Sequence, residues 1–303
     1  MHIPHYWAEA KTTVTAGKST ATLRRFGWSD SSYEEALTHA EQRLSAAVSE
    51  WYLKPKAVLR RERKVPYNGS EGMPIREEIL DEGIGYVITR NSYGALCLNT
   101  PNVLIADVDL PNEVSLNGCL GKLFGWGQVK ANSNRLAKSE KERSEGYCDR
   151  HNVVRQRVLA FLERRPDWGI RLYETPEGFR LIATQSVMNP SHSEVAAFFQ
   201  AVGADPVYVR MCKNQDCFRA RLTAKPWRCG VSERMHPRSV WPLSESQLPT
   251  REKWVEHYES VARKFASCRW LETIGIEARD PYIAEVLDVH DRLSQALSQL
   301  PLA

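Results

Sequence analysis

Polar and apolar positions alternate from Ala8 to Val14 and again from Thr20 to Phe26 around Ala16-Gly17-Lys18-Ser19, which predicts a β-hairpin. The period then changes to 3.6. Ala36, Leu37, Ala40, Leu44, Ala47 and Val48 fall on one helical face running to Trp51, behind an Asp30-Ser31-Ser32 cap with Glu35 three residues on. Cations crowd Lys54 to Lys64, and Tyr67 to Pro74 reads as a loop. Three strand-like runs follow, Gly85–Arg90, Ala95–Asn99 and Val103–Leu110, and together they predict a meander. Gln128 to Arg150 is polar, charged and without an apolar stripe, as expected of an exposed excursion. Val153, Val154, Val158, Leu159, Phe161 and Leu162 then define a helix that closes at Arg164-Arg165-Pro166.

Trp168–Tyr173 and Phe179–Thr184 flank Glu174-Thr175-Pro176-Glu177-Gly178 as a second hairpin. Ser191 and Glu194 open another helix, with Val195, Phe198, Phe199 and Val202 on its face and Gly203 at its end. Further strands are expected at Val207–Met211 and Ala220–Leu222. After Pro249 two stripes predict helix to the end: Trp254, Tyr258, Val261 and Phe265, then Ile283, Val286, Leu287, Leu293 and Leu297. The alternation of strand pairs with helices predicts an α+β fold on an antiparallel or mixed sheet with packed helices. Three regions are expected: a hairpin-plus-helix module at 1–82, an α+β core at 83–243 with the excursion inserted, and a helical C-terminal region at 244–303.

Composition narrows the class of protein. The 303 residues, 42% hydrophobic and 26% charged, are enough to bury a core, and neither a membrane-spanning run nor a secretory leader is visible. A cytoplasmic protein is expected. A net charge of +4 is compatible with a polyanionic partner without requiring one. The seven cysteines are odd in number and scattered, so reduced thiols are expected. Cys212, Cys217, Cys229 and His236 share a region, but their spacing is not that of a zinc site. Ala16-Gly17-Lys18-Ser19-Thr20 imitates the end of a phosphate-binding loop, yet Thr12 occupies the upstream glycine position and no helix follows. His151, His192 and His257 read as surface or core-edge residues, and no nucleophile elbow is present. Several of the nine tryptophans stand beside cations, as in Lys225-Pro226-Trp227-Arg228 and Cys268-Arg269-Trp270, a pairing suited to stacking on bases.

The strongest chemical signal is Val103-Leu104-Ile105-Ala106-Asp107-Val108-Asp109-Leu110. Residues two apart on a strand share a face, so the two carboxylates project together and repel unless a cation lies between them. Magnesium or manganese suits such hard oxygen ligands, with phosphate-bearing substrates filling the remaining positions. Arg219 and Arg221 also share a strand parity, followed by Lys225, and form a candidate phosphate or polynucleotide contact.

Asp107-Val108-Asp109 at the end of an apolar strand resembles the first motif of the archaeo-eukaryotic primase (primase-polymerase) superfamily. Thr175-Pro176-Glu177-Gly178-Phe179-Arg180 stands where that family's hairpin motif would lie, with Arg180 in place of the expected histidine. Ala204-Asp205-Pro206 stands where an apolar residue and aspartate form its third motif, Ala204 being small for that role. The resemblance spans about Gly83 to Pro242 and is one of motif order. It implies an RRM-like primase core and two Mg2+ or Mn2+ ions held by Asp107, Asp109 and Asp205. It further implies phosphate contacts from Thr175, Arg180, Arg219, Arg221 and Lys225. The expected partners are a nucleoside triphosphate and a single-stranded nucleic acid or primer-template, as in DNA replication or repair. A non-catalytic nucleic-acid-binding protein and a metal-dependent nuclease are the alternatives.

Overall fold

The computed structural model describes residues 1–17, 19–62, 73–109, 140–237, 241–278 and 280–303. The described chain is α+β, with antiparallel sheets and seven α-helices among the described residues. No helix among those residues is long and apolar enough to cross a membrane.

Strands β1 (Tyr6–Ala16) and β2 (Ser19–Ser29) form the expected hairpin, paired from Tyr6–Ser29 to Ala16–Ser19. Gly17 takes φ +61° in a two-residue connection, the left-handed geometry such turns demand. Helix α1 (Tyr33–Leu53) begins where Ser32 accepts the Glu35 N–H. Its buried Ala36 and Ala40 let β2 approach closely, and a Cβ on Gly27 would meet Ala36 O and Ala40 N at 2.2 Å. Trp51 closes this small core with Val14, Leu23, Ala47 and Val58. Helix α2 (Pro55–Glu62) follows, and the remainder of the expected loop, to Gly72, lies outside the described residues.

Two four-stranded sheets build the rest. One has the order β3 (Glu78–Gly83), β4 (Tyr86–Arg90), β5 (Leu96–Thr100), β9 (Phe218–Arg221). The other has the order β10 (Arg269–Gly275), β7 (Gly169–Glu174), β8 (Gly178–Ala183), β6 (Ile105–Asp109). The predicted meander therefore splits: β4 and β5 pair, whereas β6 crosses to β8. Between β6 and β7 stands α3 (Glu140–Leu162), longer than predicted because residues 140–150, read as excursion, are helical. The rest of the excursion, 128–139, lies outside the described residues.

Helix α4 (Ser193–Val202) is capped by the His192 ring rather than by Ser191, and ends at Gly203 with φ +72°. Residues 207–211, expected as strand, belong to helix α5 (Pro206–Gln215), because Asp205 caps it and Pro206 opens it. At the C-terminal end, α6 (Leu248–Ala262) and α7 (Pro281–Ser294) carry the two stripes as far as Val261 and Leu293, whereas Phe265 and Leu297 lie beyond the helix ends. The expectation of uninterrupted helix is corrected by β10, which lies between them and pairs with β7.

The second sheet separates two packed layers. Phe161 of α3 meets Trp168 at 4.9 Å and Phe198 of α4 at 5.1 Å, and Arg155 bonds Glu272, so α3 and α4 cover one face. On the other face His290 of α7 packs against Tyr173, with ring centroids 4.8 Å apart. Asp107, Arg180 and Tyr173 are in-register neighbours on β6, β8 and β7, so all three belong to the α7 face.

Candidate functional site

Val103, Leu104, Ile105, Ala106 and Val108 are fully buried, which fixes β6 as a core strand and delivers Asp107 and Asp109 to its outer end. Asp205 reaches them from a different element. Its backbone N–H donates to the Asp107 carbonyl at 2.9 Å, and the Tyr208 hydroxyl donates to the Ile105 carbonyl at 2.9 Å. These two bonds moor the start of α5 on β6. Both Asp205 carboxylate oxygens accept helix N–H groups, from Val207 at 3.0 Å and Tyr208 at 3.1 Å.

Asp109 titrates above the ordinary carboxylate range, first because of partial burial and then because Asp107, Asp205 and Glu177 oppose its charge, with Lys225 acting the other way. The three sequence-marked aspartates therefore share one electrostatic field, and Glu177, in the β7–β8 turn, joins them. Across from this acid cluster, Lys225 titrates below its usual value because of burial and the neighbouring Arg221 and Arg228. Arg228 is ion-paired with Glu177. Arg221 lies near enough to Tyr93 and Lys225 to act on both, while its buried Nε has no hydrogen-bond partner. Lys225 thus lies within electrostatic reach of Asp109 and Glu177 at the end of β6.

Arg180 does not stand free to meet a phosphate. It is 2% exposed, with Nε 3.0 Å from Asp107 Oδ1 and Nη1 donating to the Arg221 carbonyl at 3.0 Å. Nη1 also lies 3.3 Å from His290 Nε2. Burial opposes its charge, but Asp107 beside it more than restores it and holds the guanidinium above its ordinary value. Because arginine only donates, His290 Nε2 must accept, which leaves Nδ1–H to donate to Asp291 Oδ1 at 2.9 Å. Asp291 also takes the Tyr173 hydroxyl and Arg171 Nη2, each at 2.8 Å. Asp107 therefore sits at the end of a buried hydrogen-bonded chain.

Arg219 lies apart from the cluster. It is buried, with Nη2 2.5 Å from Glu77 Oε2, and the Thr89 hydroxyl donates to that same oxygen at 2.6 Å. Thr175 closes the hairpin, its hydroxyl accepting the Gly178 N–H at 3.1 Å. Cys212, Cys217 and Cys229 belong to three different apolar clusters, and burial pushes each thiol up. Among the described residues no group of three or more His, Cys, Asp or Glu is assembled as a metal-holding cluster.

Sequence reasoning passed over Glu177, Arg228, Tyr93, Glu77 and His290. Glu177 and Arg228 carried a usable signal, since each sits inside a motif already singled out. Glu77 and His290 carried none, being single polar residues whose partners are distant in the chain. Comparison with protein-family models, curated proteins and solved structures finds no match.

Proposed function

We propose that this chain is a divergent primase-like nucleotidyltransferase that takes a nucleoside triphosphate at the end of β6, against a single-stranded or primer-template nucleic acid. The observation that carries the reading is that Asp107 and Asp109 share a face of β6, that the Asp205 N–H binds the Asp107 carbonyl at 2.9 Å, and that Lys225 lies within reach of Asp109's charge. The order β6–α3–β7–β8–α4, with β8 seated between β6 and β7, supports an RRM-like core.

The donor chemistry fits a hard divalent cation on Asp107 and Asp109. Partial burial raises Asp109 first and the neighbouring carboxylates second, and an ion there would relieve the second of these. Bound there, Mg2+ or Mn2+ would supply charge neutralisation for phosphate oxygens. Each Asp205 oxygen accepts one helix N–H and keeps a second lone pair, so Asp205 holds α5 against β6, adds to the field and can still meet the ion. Lys225 is placed to hold a phosphate, and Arg180 orients Asp107.

Asp109→Asn is the cleanest test, because Asp109 is exposed whereas Asp107 supports Arg180. The expected result is manganese-dependent binding of labelled ATP by the wild type, weakened about tenfold or more in the variant. Primer extension with manganese, lost in the same variant, completes the expectation. Equal ATP affinity in both proteins, with and without metal, overturns it. The clamp of Arg180 on Asp107, which already supplies that carboxylate with a cation, favours a second reading, a non-catalytic nucleic-acid-binding protein on the same scaffold. Oligonucleotide binding without metal dependence or extension selects that one.

A further inference from the structure

Trp227, at 58% exposure, is the most exposed tryptophan among the described residues. A single exposed indole is ordinary. What sets this one apart is a rigid mount at the rim of the acid–base cluster. Its neighbour Pro226 is buried, and the Pro226 carbonyl accepts both the Val231 N–H at 2.9 Å and the Cys229 thiol at 3.3 Å. Arg228 on its other side is pinned to Glu177. Helix α6 secures the same loop, the Tyr258 hydroxyl donating to the Ala224 carbonyl at 2.6 Å. The backbone is thus anchored on both sides while the ring stays in solvent.

The ring's surroundings point to the kind of ligand. Tyr93 packs edge-on against it, with centroids 5.4 Å apart and planes at 63°. Lys225 Nζ lies 5.7 Å from the indole centroid and also within the field of Asp109. One residue therefore borders both the aromatic surface and the carboxylates. A ligand that places a flat π-face beside a chain of phosphates matches that arrangement, and an indole held rigid loses little entropy on stacking.

We propose that Trp227, buttressed by Tyr93, is a nucleobase-stacking platform, so that the site takes a base together with its phosphates rather than phosphate alone. This rests on the nucleotide reading above and adds the residue that senses the base. The base has two possible sources, a free nucleotide or a single strand, and both enter the test.

Wild type, Trp227→Ala and Trp227→Phe would be compared for binding of labelled ATP, a labelled mixed-sequence single-stranded oligonucleotide, and inorganic tripolyphosphate, each with manganese. Base–aromatic stacking predicts that Trp227→Ala weakens at least one base-bearing probe by about 5- to 150-fold. Trp227→Phe should recover most of that loss, and tripolyphosphate should bind all three proteins alike. Loss confined to ATP assigns the platform to the free nucleotide, and loss confined to the oligonucleotide assigns it to the strand. Unchanged affinity for both, a parallel loss of tripolyphosphate, or no binding of either base-bearing probe by the wild type overturns the platform. A Trp227-dependent affinity that ignores manganese and survives Asp109→Asn leaves the platform standing and removes only the nucleotidyl-transfer reading.

Discussion

Replacing Arg180 by alanine should unfold this protein more readily rather than merely weaken a ligand contact. The guanidinium is 2% exposed and serves three acceptors: Asp107 Oδ1 at 3.0 Å, the Arg221 carbonyl at 3.0 Å and His290 Nε2 at 3.3 Å. Removing one partner of a buried ion pair costs about 3–5 kcal/mol, because the other charge is left uncompensated. Here the unpaired group is Asp107, whose side chain is 32% exposed, so water recovers part of its solvation and the lower half of that range applies to the pair. The two neutral acceptors add back about 1–3 kcal/mol for each one left dry, though they share one guanidinium and do not sum independently. The net expectation is about 4 kcal/mol.

At roughly 2 °C per kcal/mol for a long chain, Arg180→Ala should lower Tm by about 8 °C. Arg180→Lys should fall between, because an ammonium keeps the charge but cannot span three acceptors as a planar fork does. Asp107→Asn should cost at least as much in the pair itself, since the amide oxygen still accepts the Nε–H but the guanidinium, 2% exposed, loses its counter-charge. Thermal melts followed by circular dichroism measure all three. A Tm for Arg180→Ala within about 1 °C of wild type, with nucleotide binding selectively lost, would refute the reasoning and return Arg180 to the role of phosphate ligand.

Three other outcomes follow from the same geometry. Asp109 binds its proton more tightly folded than unfolded, so its contribution is present at low pH and is lost as pH rises through its raised folded value. Asp109→Asn should accordingly melt above wild type at neutral pH and converge with it below about pH 4, and added manganese should narrow the neutral gap by stabilising wild type alone. A gap that widens on acidification contradicts this. Arg219→Ala should cost about 3–5 kcal/mol by stranding Glu77, read by urea denaturation. In contrast, Arg221→Ala and Lys225→Ala should each lower the slope of log affinity against log salt for an oligonucleotide by about 1, and an equal slope in all variants counts against the basic face.

Local patterns were legible where one segment fixes its own structure. The hairpin at 6–29, the Ser32 cap and the helix stripes depend on turn chemistry and periodicity within a few residues. The errors arise where a partner distant in the chain decides. Strand β10 is a seven-residue run between two helical stripes, with its pairing to β7 shifted between Trp270 and Glu272, so nothing local separates it from helix. The crossing of β6 from the expected meander to β8 is likewise a matter of pairing, which an apolar run cannot encode alone. Residues 207–211 are a different kind of miss, because Asp205-Pro206 is a helix-start signal already present in the text of the chain.

The candidate site divides along the same line. Asp107 and Asp109 were found because alternation on one strand is enough to place them together, and Asp205 was found only through motif order. Arginines resist such reading, since a guanidinium serves equally as a phosphate ligand or as the counter-ion of a buried acid, and the decision rests on what faces it. Arg219 and Arg221 share strand parity, yet Glu77 takes the first into the interior while the second stays at the acid cluster beside Tyr93. Arg180 shows the consequence for mechanism. With a histidine at that place, a titratable group would face the carboxylates. With arginine, a permanent charge is clamped between Asp107 and the His290–Asp291 pair, so this position fixes the carboxylate. On the proposed reading, phosphate recognition would fall to Lys225 and its neighbours, and the loop from Ala224 to Val231, rather than the hairpin, would set what the site accepts.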